Sequence, residues 1–84
     1  MKMYLIGALW YSADQGDYPN NFEFPRYCTT DIETAERQYA ELAKDDHEWS
    51  FGFCEAYLIE SGETGFKVIH GSDAIKRMLP KNKN

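Results

Sequence analysis

Residues 3–12, MYLIGALWYS, carry apolar side chains on both alternating faces: Met3, Leu5, Leu9 and Tyr11 on one, Tyr4, Ile6, Ala8 and Trp10 on the other. The run includes β-branched and aromatic residues and reads as a strand central to a sheet. Residues 51–60, FGFCEAYLIE, make the same demand. Cys54, Ala56 and Leu58 form a face small enough to admit a packed helix, and Phe51, Phe53, Glu55, Tyr57 and Ile59 form the other. A sheet built on these two strands is apolar on each side, so a fold for this chain must cover both sides or leave one as an interface.

One cover is legible. In residues 30–46, Ile32, Ala35, Tyr39, Leu42 and Ala43 recur at helical spacing and give a single apolar stripe. Thr30 is placed to cap the first turn, with Glu33 three residues on to complete a capping box. On the solvent side Glu33, Arg37, Glu41 and Lys44 alternate in sign at pairing distance, the pattern of a solvated face.

The other elements are shorter. Residues 22–27, FEFPRY, read as an edge strand, because Pro25 has no N–H to give a ladder. Residues 61–65, SGETG, read as a turn, so residues 66–70 return antiparallel with Phe66, Val68 and His70 on one face and Lys67 and Ile69 on the other. Ser72 caps a short helix over residues 73–79 that offers Ala74, Ile75, Met78 and Leu79, and Pro80 ends it. The polar tail, residues 80–84, is expected to fray. Gly7 marks a bulge or a close backbone approach. The order strand, strand, helix, strand, strand, short helix predicts a single α+β domain with a four-stranded antiparallel sheet and one main helix across a face. Either the short C-terminal helix and the long segment 12–21 cover the second face, or that face meets a partner or another copy of the chain.

At 84 residues the chain buries only about 60–65% of the surface its unfolded form exposes, which favours an interaction module over an enzyme with a closed pocket. Five Phe, six Tyr and two Trp supply the core. The net charge of -5 is unevenly spread: residues 13–63 hold thirteen carboxylates against Arg26, Arg37 and Lys44, whereas from residue 64 onward five cations face Asp73 alone. An acidic body repels nucleic acid and attracts a basic protein surface.

No motif of catalysis or phosphate binding occurs: there is no GxGxxG, P-loop, GxSxG or HExxH. Asp14 and Asp17 lack the ligand spacing of a calcium loop, and Cys28, His47, Cys54 and His70 lack the close pairing of a zinc site. His47 beside Glu48, or Cys54 with His70 across a hairpin, are the remaining acid/base arrangements, without an orienting third group. No cofactor or metal is expected. Residues 1–10 lack the cleavage region of a secretory signal and no run is long enough to span a bilayer, so a cytoplasmic setting is expected, with Cys28 and Cys54 reduced and buried; an oxidising compartment would allow a disulfide between them.

The residues expected to meet a protein partner are Asp14, Asp17 and Tyr18 in the breaker-rich segment 12–21, Asp45, Asp46, Glu48 and Trp49 at the helix exit, and Tyr57 on the second sheet face. Tyr11, Tyr18, Trp49 and Tyr57 are the candidate aromatic anchors, ringed by carboxylates. Trp49 reads either as a plug at the helix end or as an exposed anchor.

In length, acidity, aromatic richness and compact α+β pattern the chain resembles the small inhibitor proteins carried by phages and mobile elements, such as anti-CRISPR and antirestriction proteins. The resemblance lies in whole-chain character and transfers no functional residue. It implies stoichiometric binding to a basic surface of a host nucleic-acid-processing or defence complex, blocking nucleic-acid binding or assembly. The alternatives are a self-associating structural or regulatory module, homodimeric through the second sheet face, and a small Cys/His-dependent enzyme or ligand binder.

Overall fold

The computed structural model describes residues 2–12, 21–22 and 25–79. In chain order the elements are β1 (Met3–Ser12), β2 (Asn21–Phe22), β3 (Tyr27–Thr29), α1 (Ile32–Ala43), β4 (His47–Trp49), β5 (Gly52–Gly62), β6 (Gly65–His70) and α2 (Asp73–Met78). The fold is α+β with an antiparallel sheet and one main helix, the expected class.

The two strands with apolar side chains on both faces form the centre of the sheet. β1 and β5 pair antiparallel from Met3 opposite Ser61 to Ser12 opposite Gly52. β2 and β3 flank the outer side of β1. The outer side of β5 is shared, β4 taking residues 52–54 and β6 taking residues 58–62. Among the described residues six strands replace the expected four, for two reasons. Of the strand expected over residues 22–27, Phe22 lies in β2 and Tyr27 in β3; Pro25 is not in a strand, and Arg26 N donates to Ile6 O at 2.8 Å before the pairing of β3. Both pieces lie on the sheet edge, where a proline is tolerated. The helix expected to run to Asp46 ends at Ala43, and the chain then turns back as β4.

Asp31, not Thr30, caps α1. Its carboxylate accepts from Thr34 N at 3.0 Å and from Thr34 Oγ1 at 2.6 Å, while Thr29 Oγ1 accepts from Asp31 N at 3.1 Å. An ionised carboxylate is a stronger acceptor than a hydroxyl, and Thr34 supplies it with two donors at once. The Thr34 hydroxyl bond foremost, and then the Thr34 amide bond, lower the Asp31 pKa below its ordinary value. On the solvent side Lys44 pairs with Glu41, and Arg37 donates to Thr34 Oγ1.

α1 covers the first sheet face. Ala35 is buried against Tyr4, Ile6 and Leu58, with Tyr39, Leu42 and Ile69 packed around them. Ile32, expected on this stripe, is 40% exposed. α2 sits on the second face: Ala74 and Ile75 are buried with Leu9, Tyr57 and Ile59, and Leu5, Phe53, Phe66, Val68 and Leu79 pack around them. Ser72 caps α2 as expected, its Oγ accepting from Ala74 N at 3.2 Å. The apolarity of both central strands is therefore answered by one helix on each side.

Two local features set the packing. Gly7 lies opposite Tyr57, and a Cβ on Gly7 would come within 2.5 Å of Tyr57 Oη, so the phenol occupies the space that glycine leaves. This is the close approach expected of Gly7. In β6 the pairing register shifts between Leu58 and Ile59, leaving Ile69 as the extra residue. Such a bulge breaks the strict alternation. Ile69 and His70 both turn toward α1, and His70 leaves the Phe66 and Val68 face to which alternation assigned it.

Candidate protein-binding site

Beyond the C-terminal end of α1 the first sheet face continues, with no helix over it among the described residues. Trp10 on β1 stands opposite Cys54 on β5, and Cys54 stands opposite His47 on β4, so three side chains form one row across the sheet. Trp49, two residues beyond His47, projects from the same face. The rings meet: His47 stacks on Trp49 with centroids 5.0 Å apart, Trp10 meets Trp49 edge-on at 6.1 Å, and Trp10 meets His47 at 6.5 Å with the rings perpendicular. Stacked and edge-to-face arrangements of this kind hold aromatic side chains in one orientation. Trp10 is nonetheless 44% exposed, and Phe51 in the β4–β5 turn is 64% exposed.

His47 is fixed from a second direction. Its Nδ1 lies 2.8 Å from Asp45 O, and because a carbonyl oxygen only accepts, Nδ1 carries the proton. Asp45 and Asp46 belong to the turn that ends α1, where Asp45 N donates to Leu42 O and Asp46 N to Ala43 O, both at 3.1 Å. Asp46 then reaches β5, and its Oδ1 accepts from Ala56 N at 2.7 Å. Ala56 lies in the part of the β5 edge that neither β4 nor β6 pairs, so the carboxylate stands in for a missing strand. Between these groups lies a cleft of about 380 Å³, with Ala8 and Cys54 of the sheet, Trp10, His47, Leu42, Asp45, Asp46 and Arg26 on its lining.

The expected contact residues divide accordingly. Asp45, Asp46 and Trp49 come together at this end of the first sheet face, while Glu48, opposite Phe53, points to the other face. Asp45 and Glu48 are exposed, Trp49 is half-buried against the other rings, and one oxygen of Asp46 serves the fold. Tyr57 is corrected: it is fully buried under α2 and over Gly7, so it is a core residue that no partner touches. Asp14, Asp17 and Tyr18 lie outside the described residues, as do the side chain of Tyr11 and the tail, residues 80–84. Trp10 and Phe51 were read from sequence only as strand residues. No local signal marked β4, since its three residues become a strand by pairing with residues 52–54.

The alternative chemistries find no shared geometry. His47 and Glu48 are successive strand residues and point to opposite faces. Cys54 pairs across the sheet with His47, while His70 pairs with Leu58 four residues along β5. His70 instead donates from Nε2 to Glu36, 2.6 Å from Oε1 and 3.0 Å from Oε2, and stacks on Tyr39 at 4.4 Å. Burial foremost, then the nearby charges of Asp46, Glu55 and Glu36, push the Tyr39 hydroxyl pKa up. Neither cysteine is in a disulfide. Cys54 is buried, but Cys28 is exposed on β3, which corrects the expectation that it is buried too. Among the described residues no group of three or more His, Cys, Asp or Glu side chains is arranged to hold a metal ion, and no helix is long and apolar enough to cross a membrane.

No family matches. Comparison of the chain with protein-family models, with curated proteins and with solved structures finds nothing similar to it in any of the three. The resemblance to phage-borne inhibitors therefore rests on length, acidity, aromatic richness and compact α+β pattern, with no shared motif.

Proposed function

We propose that the chain is a small acidic protein-binding module that docks on a basic protein surface, with Trp10, His47 and Trp49 as the central contact and Asp45 and Asp46 at its rim. The observation that carries this reading is the ordered aromatic row left in water beyond the end of α1. Rings held rigid by one another lose little entropy on binding, and tryptophan is enriched among the residues that dominate interface energy. The carboxylates around it steer a cationic surface toward the row and do not attract nucleic acid directly. Proteins that hold phosphate backbones present such surfaces. A module seated on one excludes its nucleic acid, which is the inhibitory mechanism that phage-type inhibitors exemplify.

The self-associating alternative drew on the second sheet face, and α2 occupies that face. The test is a pull-down of nucleic-acid-binding proteins on the immobilised chain at low and high salt, followed by a gel-shift assay of any retained protein's nucleic-acid binding. The expected result is salt-sensitive retention and loss of the nucleic-acid complex at stoichiometric amounts of the chain, both abolished by Trp10→Ala with Trp49→Ala. Failure to retain any basic protein at low salt, with elution of the chain as a stable dimer, would refute the reading.

A further inference from the structure

Resting on the reading of the chain as a binder of basic proteins, we infer that the cleft beside Trp10 and His47 receives one arginine side chain of the partner. Three independent features of the cleft favour a cation. Trp10 presents a half-exposed indole on its lining, and tryptophan is the best of the aromatic faces for a cation within about 6 Å. Asp45 and Asp46 line the same space. The last turn of α1 contains no basic residue, and Leu42 of that turn is on the lining, so the negative end of the helix lies beside the cleft. Lys44, the nearest lysine along the chain, is drawn back to Glu41. Arg26 is one cation on the lining against two carboxylates and a helix end, so the balance stays negative.

Shape selects arginine over lysine. A guanidinium is flat, so it stacks on an indole while its N–H edge meets a carboxylate; an ammonium is a point charge and does one of these at a time. The volume of about 380 Å³ is at the low end for small-molecule sites, suited to a side chain rather than to a large cofactor. Rigidity comes from the two bonds already described: His47 Nδ1 to Asp45 O holds the imidazole, and Asp46 Oδ1 to Ala56 N holds the turn. The cleft is thus formed before its ligand arrives, which lowers the cost of binding.

The experiment is an NMR titration of the full chain with three capped tripeptides, Gly-Arg-Gly, Gly-Lys-Gly and Gly-citrulline-Gly, reading the two indole N–H signals. Citrulline keeps the shape of arginine and removes its charge. The expected order of affinity is arginine, then lysine, then citrulline, with the Trp10 indole signal moving most. Trp10→Leu and Asp45→Asn should each weaken the arginine peptide by about 3- to 30-fold, the range of a single partly desolvated cation–aromatic or charge contact. Trp10→Phe, which keeps a weaker aromatic face, should fall between. Equal binding of citrulline and arginine overturns the inference, as does unchanged affinity in Trp10→Leu and Asp45→Asn variants whose spectra remain folded. Salt-sensitive retention of basic proteins by those variants would then leave the broader reading standing. If neither the peptides nor any basic protein binds, both fall.

Discussion

Replacing Ile75 with alanine tests the claim on which the architecture depends, that a helix of only six residues covers the second face of the sheet. A helix that short has no stability of its own in water, so its packing must hold it. Ile75 is fully buried among Leu9, Tyr57 and Ile59. It is seated closely enough that a Cβ added at Gly71 would lie 3.0 Å from Ile75 Cγ1. Removing three carbons from such a site costs about 0.8 kcal/mol for each in transfer, roughly 2.4 kcal/mol, and any cavity left behind adds to it. Collapse of a short surface helix limits the cavity, so about 2–4 kcal/mol is expected. A domain of this size is stable by roughly 4–13 kcal/mol. The loss is therefore a large fraction of the total and corresponds to a fall in Tm of roughly 10–25 °C. Urea denaturation gives the free energy, and binding of a hydrophobic dye reports exposure of the Leu9, Tyr57 and Ile59 surface. Ile32→Ala on the exposed side of α1 is the control, expected to cost less than about 1 kcal/mol. If Ile75→Ala costs no more than that control and leaves dye binding unchanged, α2 does not cover the second face and the two-sided architecture is wrong.

Gly7→Ala places a methyl group within 2.5 Å of Tyr57 Oη and should destabilise by about 1–3 kcal/mol in urea denaturation, as overpacking of a filled core does. Asp46→Ala leaves Ala56 N–H without its acceptor and should cost about 1–3 kcal/mol, with faster hydrogen exchange at Ala56 than in the parent chain. Asp31 has a folded pKa below its unfolded one, so its stabilising effect is complete above the ordinary aspartate range and is lost as pH falls through the folded value. The stability difference between the parent chain and Asp31→Asn, followed by thermal melts from pH 6 to pH 2, should therefore shrink toward the acid end. A thiol reagent should modify Cys28 in the native protein and Cys54 only on unfolding, so one thiol titrates quickly and one slowly.

How much of this was legible in the chain depended on the length of the signal. The two-faced strands, the helical stripe and the Ser72 cap each involve a pattern repeated over several residues or a cap beside a stop, and they placed β1, β5, α1 and α2. β4 is three residues long, and its identity as a strand is decided by pairing with residues 52–54, a contact that local sequence does not encode. The cap of α1 turned on Thr34, whose two donors favour Asp31 over Thr30. Tyr57 was correctly placed on the second face but read as a contact residue, because its burial depends on Gly7 across the sheet and on α2 above it. His70 changed faces through a single-residue bulge, and one extra residue inverts every alternation beyond it.

Two of the residues beyond the end of the helix, Asp45 and Asp46, also line the site. Had α1 run on through Asp46, three more residues would have added about 4.5 Å of helix. That is most of the roughly 6.6 Å between successive same-face side chains on a strand, and the added turn would have begun to cover the next row, that of Trp10 and Cys54. Instead Asp45 offers its carbonyl to His47, and Asp46 stitches the turn to Ala56. Each of these interactions is satisfied by ending the helix and by placing β4 beside β5. The acidic exit that stood out in the sequence is thus first a device for stopping a helix. The exposed indole of Trp10, bordered by the carboxylates that stopped it, follows from where it stops.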